Sequence, residues 1–332
     1  MTMKAAFIHQ PCGADEIQYG DLPRPQPTGS QVLLRTTAIA VNPVDTYVRN
    51  GAISWEMPSP FILGCDLAGV VEELGPEAGQ LSVGDRVWGT NQGLLGRQGT
   101  SAEYCAVDEC WLYPVPAGVS DVDAAACALV GVTAHLGLFR EVGLKAGETV
   151  FVHGGTGGVG AMVVQMAKAV GARVITTAGS EEKAQRCSEL GADVVIQYKQ
   201  QDEQQAILAA APDGVNIFWE TLREPNLEGI VEVMAERGRL ILMAGRDARP
   251  SFPVGPFYVK GCSAHGFAMF KASPEEMLAA AEDINRWLAD GSLVSQIGRT
   301  MPLSQTADAH RLQEDNTLSG SGTLAGKIVL LP

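Results

Sequence analysis

Apolar residues fall into two rhythms along this chain. Up to about residue 120 they come in short runs broken by Gly, Pro and polar turns. Segments 32–34, 67–71, 85–88 and 104–107 read as strands, with Gly84-Asp85 as a turn signal. Beyond that point strands alternate with helices. Segment 149–153 reads as a strand and 158–170 as a helix, with Val159, Met162, Val163, Met166, Ala167 and Val170 recurring every three or four residues. Strand 173–177, helix 181–190, strand 193–196, helix 201–211, strand 215–219, helix 226–236 and strand 239–243 follow, and 261–267 reads as the last strand of the series. Gly191 closes the second of these helices in the position where a left-handed residue relieves strain. Strands alternating with helices of this length imply right-handed βαβ units and a parallel, doubly wound sheet.

After about residue 266 the texture changes again. Ser273, Pro274 and Glu276 form an N-cap, a Pro at the first helical position and a capping-box acid, and Gly291 closes that helix. The apolar run 327–331 reads as a strand that needs a sheet to join, so the chain is expected to return to its first domain. The domains are therefore drawn as 1–120, 121–265 and 266–332, the first and last together forming one β-rich domain.

Length and composition fit this picture. The chain has 332 residues, which suggests two domains, and 46% apolar with 19% charged residues suits a packed core. The formal charge of −14, with no Lys/Arg-rich run, opposes general binding to phosphate backbones, so no nucleic-acid partner is expected. The N-terminus lacks a secretory apolar segment, and the most apolar stretch, 124–139, reads as shorter than a membrane-spanning helix and carries Gly131, Thr133 and His135. A cytoplasmic chain with no membrane partner is expected. Seven scattered cysteines without a CxxC pair fit reduced thiols better than disulfides or a zinc cluster.

The chemistry concentrates after the strand at 149–153. His153-Gly154-Gly155-Thr156-Gly157-Gly158-Val159-Gly160 contains G-x-G-x-x-G at Gly155, Gly157 and Gly160, and it leads from a strand into a helix. In such a loop the first glycine makes the turn, the second lets the backbone approach a pyrophosphate, and the third permits close helix packing. The helix N-terminus adds unpaired N–H groups and partial positive charge. The next strand ends in Thr177-Ala178-Gly179-Ser180, without the Asp or Glu that usually binds the ribose 2′-hydroxyl of NAD. Gly179 leaves room, Ser180 can hydrogen-bond a 2′-phosphate, Lys183 can supply charge, and Tyr198 can add a further donor. These residues favour NADPH over NADH. The plainer alternative is that Ser180 only caps the following helix and Lys183 is solvated. Glu181 and Glu182 would have to point away from a phosphate.

With that loop placed, the chain resembles the medium-chain dehydrogenase/reductase superfamily. Gly64-Cys65-Asp66-Leu67-Ala68-Gly69-Val70-Val71, Gly75 and Gly84-Asp85-Arg86-Val87 are similar to the glycine pattern of its first domain. Val41-Asn42-Pro43-Val44-Asp45-Thr46-Tyr47-Val48-Arg49, Ala102-Glu103-Tyr104 and Gly320-Ser321-Gly322-Thr323-Leu324-Ala325-Gly326-Lys327 look like the zeta-crystallin branch, the NADPH:quinone reductases. The resemblance covers essentially the whole chain. It implies the fold class α/β, with a GroES-like β-rich domain plus a Rossmann doubly wound parallel-sheet domain, an active site in the cleft between them, and a homodimer or homotetramer.

The same resemblance implies residue roles. Asn42 and Asp45 would line the nicotinamide side, and Tyr47 would face the acceptor. Thr133 would contact the nicotinamide ribose. Gly157, Gly158 and Val159 would hold the pyrophosphate. Ala244, Gly245 and Arg246 would shape the cofactor groove, and Phe267 to Met269 would flank the nicotinamide. Zinc alcohol dehydrogenases carry Cys where this chain has Asn42 and His-Glu where it has Cys65-Asp66, and residues 88–110 offer only Cys105 and Cys110 for a structural zinc lobe. No metal is expected, although Cys65, Asp66 and His135 could be assembled into a site on paper. Without a Lewis acid, alcohol oxidation gives way to reduction of acceptors that are already electrophilic. An NADPH-dependent reductase of ortho-quinone-type substrates is expected, passing hydride or single electrons. A reductase of activated C=C bonds, in enals or enoyl thioesters, is the alternative, with Tyr47 as proton donor. An NADPH-binding structural or RNA-binding protein is the alternative of another class. Ile53 stands where the branch has a second Tyr, so acceptor preference can differ. The five histidines, His9, His135, His153, His265 and His310, form no cluster and read as structural.

Overall fold

The computed structural model describes residues 1–53, 55–318 and 324–332. The chain opens with β1 (Thr2–Ile8), β2 (Gln18–Pro23), β3 (Gln31–Val41), α1 (Pro43–Arg49), β4 (Phe61–Ile62), β5 (Leu67–Leu74), β6 (Arg86–Gly89), β7 (Tyr104–Asp108) and β8 (Leu112–Pro114). After α2 (Asp121–His135) come β9 (Thr149–Val152), α3 (Gly158–Ala169), β10 (Arg173–Ala178), α4 (Glu181–Glu189), β11 (Val194–Gln197) and α5 (Glu203–Ala210). Then follow β12 (Val215–Glu220), α6 (Leu227–Val233), β13 (Met234–Leu242), α7 (Val254–Val259) and β14 (Ser263–Gly266). The chain closes with α8 (Pro274–Asp290), β15 (Ile297–Pro302), α9 (Thr306–Leu318) and β16 (Lys327–Leu331).

Two compact units result, Met1–Val132 with Ala272–Pro332, and Thr133–Lys271. Sequence texture draws the borders at 120/121 and 265/266, whereas packing moves them to 132/133 and 271/272. The reason lies in α2, whose first turns are tied to the β-rich unit. The Thr37 hydroxyl donates to Asp121 at 2.7 Å, and the Leu129 N–H donates to Asp66 at 3.2 Å.

The β-rich unit is built on antiparallel strands, except that β15 runs parallel to β16. One sheet runs β2-β1-β4, and a seven-stranded sheet runs β15-β16-β3-β5-β6-β8 with β7 also beside β3. Its core packs Val32, Leu34, Leu67, Val71, Val87 and Val107. The apolar strand β16 pairs antiparallel with β3, Ile328 opposite Val41, and joins a second cluster with Ile39, Leu303 and Ala309. Of the glycine-rich segment before β16, residues 320–323 lie outside the described residues. The helix α1 was not legible as an element. Asn42 and Asp45 form its capping box and Pro43 starts it, a start signal hidden in a run of only seven helical residues.

The second unit holds one parallel sheet in the order β11-β10-β9-β12-β13-β14. Its order reverses between β9 and β12, the switch point where open α/β sheets place ligands at the carboxyl ends of their strands. One boundary departs from expectation. Helix 226–236 stops at Val233 and β13 begins at Met234, five residues before the expected strand. The Lys260 ammonium accounts for the stop, because it donates to the carbonyls of Val231, Glu232 and Met234 at 2.8, 2.9 and 2.8 Å. A register shift and a left-handed Arg237 then carry the early strand into line.

The apolar stretch also differs from its reading. Residues 121–141 form one helical run of 21 residues, because a π-helical turn, Leu136–Glu141, extends α2. It is long and apolar enough to cross a membrane by length and composition, and 78% of its most apolar window is buried inside the protein, as in a core helix.

Candidate active site

Strand β9 delivers the chain to the glycine loop at the switch point. Gly154 alone in the loop takes a left-handed conformation (φ 68°), and it is exposed. Gly155 is the first central residue of the tight turn, which the Gly157 N–H closes by donating to the Gly154 carbonyl at 2.9 Å. Gly155 is needed for space: a Cβ there would lie 2.5 Å from the Thr176 hydroxyl and 2.9 Å from the Cys187 sulfur. Gly160 packs as expected, since its Cβ would sit 2.3 Å from the Gly154 carbonyl oxygen. Gly157 is exposed, caps α3 without any side-chain bond, and accepts on its carbonyl from the Ala161 N–H at 2.9 Å. Gly158 and Val159 are the first residues of α3, so their N–H groups belong to the unpaired set at a helix start. The loop offers an anion backbone donors and partial positive charge with no side chain in the way. These are the features that a dinucleotide pyrophosphate requires.

Next to it, the ends of β10 and β11 come together. The Tyr198 hydroxyl lies over Gly179, where a Cβ would meet it at 2.5 Å. Ser180 caps α4, accepting on its oxygen from the Lys183 N–H at 3.3 Å, and its own hydroxyl proton is left for another acceptor. Lys183 is half-buried in the first turn of α4. Gly179, Ser180, Lys183 and Tyr198 thus share one end of the sheet. Glu181 is drawn to Gln197 of β11, whose amide donates to it at 2.6 Å.

The remaining cofactor candidates of this unit follow later strands. Gly245 is left-handed (φ 72°), and the Arg223 carbonyl lies 2.2 Å from where its Cβ would be, so only glycine fits the turn that carries Ala244 and Arg246 past β13. Phe267 follows β14, stands edge-on to Trp219 at 6.5 Å, and has the Arg140 guanidinium 5.7 Å from its ring centre. Met269 is buried in a short 3-10 turn. Thr133 is buried in α2.

In the β-rich unit the candidates gather around a buried charge cluster. Asn42 Nδ2 donates to Asp66 at 2.8 Å and to the Ala40 carbonyl at 3.3 Å. Its Oδ1 accepts from the Lys327 ammonium, which also donates to the Val41 carbonyl at 2.9 Å. Asp45 accepts from the Asn42 N–H at 2.8 Å, and the Cys65 thiol lies against it. Burial pushes the Asp45 carboxyl up to about 7 and the Asp66 charge adds to this, against the pull of Cys65, the Asn42 N–H and Lys327. Burial also raises Asp66 and lowers Lys327, with each one's charge holding the other back. The Cys65 thiol is raised by burial and by both aspartates. The amide of Asn42 is wholly committed inside this cluster. Asn42 and Asp45 form the capping box at the start of α1, and Tyr47 is half-buried in the middle of that short helix. At the other end of α1, buried Arg49 donates to the Cys12 carbonyl at 3.2 Å and to Glu314.

Two features escaped the sequence. Lys327 is a lone cation in an apolar strand, and its partner Asn42 lies 285 residues away. His153 sits buried between Glu203 and Glu220, 50 and 67 residues distant, at 2.8 Å from each. Nothing local marks either arrangement.

The fold agrees with comparisons to known proteins. The model of the alcohol dehydrogenase GroES-like domain matches residues 28–117, and that of the zinc-binding dehydrogenase matches 158–286. The chain belongs to the medium-chain dehydrogenase/reductase family, and it is an oxidoreductase. Human quinone oxidoreductase is 32% identical over 331 residues, 99% of this chain and 98% of that one. The 2-haloacrylate reductase of a Burkholderia species is 30% identical over 336 residues, again 99% and 98%. A mycobacterial protein solved in complex with NADPH superposes with a TM-score of 0.84 at 29% identity, covering 99% of this chain and all of that one.

The zinc implied by one of these descriptions does not fit the β-rich unit's cluster. Asn42 offers no free oxygen, and a divalent ion there would face the buried ammonium of Lys327. Among the described residues no group of three or more His, Cys, Asp or Glu could hold a metal.

Proposed function

We propose that this chain is an NADPH-dependent quinone reductase that works without zinc. The observation that carries the reading is the Lys327–Asn42–Asp66 cluster. It fills with an ammonium and an amide the place where zinc relatives carry metal ligands, so the acceptor must itself be electrophilic. The full-length similarity to human quinone oxidoreductase supports the same class of substrate.

The Gly154–Gly160 loop receives the pyrophosphate, and the cluster of Gly179, Ser180, Lys183 and Tyr198 receives the 2′-phosphate. A strand end with a hydroxyl, a cation and a phenol, and no carboxylate, selects the phosphorylated cofactor. Bound there, NADPH supplies a hydride from its nicotinamide. Phe267 and Met269 shield that ring from water, Thr133 bonds its ribose, and Ala244, Gly245 and Arg246 line the groove. Tyr47 donates a hydrogen bond to the oxygen on which charge develops, its helix fixed by Asn42, Asp45 and Arg49. The hydride would bring the acceptor two electrons and one proton, and a second proton taken from water would complete the hydroquinone that leaves.

A homo-oligomer suits the second unit. β14 is the edge of its sheet and is largely exposed, and next to it Val254, Tyr258 and Val259 of α7 are 62, 70 and 73% exposed.

The similarity to 2-haloacrylate reductase favours a second reading, reduction of an activated C=C bond with Tyr47 delivering the proton. Product analysis separates the two. With NADPH, phenanthrenequinone should yield its hydroquinone while crotonyl-CoA and 2-chloroacrylate return unchanged. Reduction of either alkene with no quinone turnover would replace the first reading by the second.

A further inference from the structure

We infer that His153, held between Glu203 and Glu220, is the positioning residue that fixes the root of the nucleotide loop. The inference rests on the reading of Gly154–Gly160 as the cofactor loop. His153 follows the last residue of β9 and precedes Gly154. Its backbone is pinned on both sides: the N–H donates to the Trp219 carbonyl at 3.2 Å, and the carbonyl accepts from the Thr221 hydroxyl at 3.1 Å. Its ring makes two more ties. Nδ1 lies 2.8 Å from Glu220 Oε1 at the end of β12, and Nε2 lies 2.8 Å from Glu203 Oε1 in the first turn of α5. One residue therefore joins the ends of two strands and the start of a helix at the point where the loop departs.

Both ring nitrogens face carboxylate oxygens. An ionised carboxylate only accepts, so the imidazolium form, with a proton on each nitrogen, is the one that satisfies both contacts. Burial alone would lower this group, but the bonds to Glu203 and Glu220 and their charges outweigh it and raise it to about 9. Phe151 and Phe218 stand edge-on to the ring at 4.9 and 5.3 Å and keep its surroundings apolar. Glu220 is itself held by the Leu222 N–H at 2.6 Å. A small cavity of about 100 Å³ adjoins the ring, and its one further charged wall is Glu224, from the loop before α6. The titratable groups that line this cavity beside His153 are Glu203, Glu220 and Glu224, so loss of the imidazolium proton leaves carboxylates facing a neutral ring with one bare nitrogen. The ties to β12 and α5 then weaken, and the loop loses its fixed start.

The test is NADPH affinity of the whole protein from neutral pH to about pH 10.5, with the His153 ring followed by nitrogen-15 NMR. In the wild type, NADPH affinity should hold at neutral pH and fall as the His153 signal titrates. In Glu203→Gln that midpoint should move to lower pH, and NADPH should bind about tenfold more weakly at pH 8, since one charge-assisted bond is lost. Turnover at saturating NADPH should change far less, which separates positioning of the loop from general damage. His153→Gln, checked for an unchanged circular dichroism spectrum, should bind weakly at all pH values. Wild-type affinity that stays flat across the His153 titration, or a Glu203→Gln midpoint equal to the wild type's, overturns the inference and leaves the cofactor reading intact. No NADPH binding by the wild type at neutral pH overturns both.

Discussion

The ammonium of Lys327 bonds the side-chain oxygen of Asn42, so the last strand of the chain completes the polar cluster at the start of α1. Lys327 is fully enclosed, and the two carboxyls nearest it, Asp45 and Asp66, are both held above the usual carboxylate range by burial. An enclosed cation that balances buried acids and satisfies two oxygens is costly to remove. Lys327→Met is expected to lower unfolding stability by about 3–5 kcal/mol, because it leaves the acids uncompensated. Thermal and urea unfolding will show this; a loss under about 1 kcal/mol would mean that Lys327 does not hold the cluster.

Glycine at 160 is required by space alone. A methyl group there would lie 2.3 Å from the Gly154 carbonyl oxygen, a backbone atom that moves only with the loop. Gly160→Ala should abolish NADPH binding in a calorimetric titration while the β-rich unit stays folded. Retained affinity would show that the loop has another way to accommodate α3.

Lys183→Ala should weaken NADPH and leave NADH almost unchanged, because only the 2′-phosphate needs the cation. A surface-to-phosphate ion pair of this kind changes affinity by about tenfold. Equal losses for both nucleotides in parallel titrations would remove Lys183 from the 2′-phosphate site.

Two histidines should shape stability against pH in opposite directions. Burial, assisted by the Arg49 charge, lowers His310 from 6.5 to about 3. Its contribution is present above pH 6.5 and is lost as pH falls toward 3. His153 is raised to about 9 by its two glutamates against the effect of burial, so its contribution is complete below 6.5 and is lost as pH rises through 9. For His153 the difference amounts to about 3 kcal/mol. Melting temperatures should fall on both sides of a plateau. His310→Leu should flatten the acid side and His153→Gln the alkaline side; a variant that leaves its own side unchanged would show that its histidine does not set it.

Tyr47→Phe discriminates between the two chemistries. A hydrogen bond to a quinol oxygen is worth roughly tenfold to a hundredfold in kcat, since the quinone remains electrophilic without it. Delivery of a proton to carbon is an obligatory step, so loss of the hydroxyl should nearly abolish alkene reduction. Steady-state kinetics with each acceptor will distinguish the outcomes.

Much of the fold was legible because local signals agreed. The strand-loop-helix order around Gly155–Gly160, the helix stop at Gly191 and the capping box at Ser273 all announce themselves within a few residues. The helix end at Val233 was not legible, because the group that stops it is Lys260, from a later segment. The candidate site divides in the same way. Gly179, Ser180, Lys183 and Tyr198, proposed for the 2′-phosphate, lie within one strand end and its neighbour, so their grouping could be read in advance. The place of Asn42 could not, because its amide is engaged by Asp66 and by Lys327 at the far end of the sequence. The acid–imidazole–acid arrangement at His153 was hidden for the same reason, since its three residues come from three elements.

The most direct test of the proposed function is the ratio of kcat/KM for NADPH over NADH with phenanthrenequinone as acceptor. A ratio of about ten or more is expected, with the hydroquinone as product and with no dependence on added zinc. A ratio near one, or activity that appears only when zinc is supplied, would contradict a zinc-independent NADPH:quinone reductase.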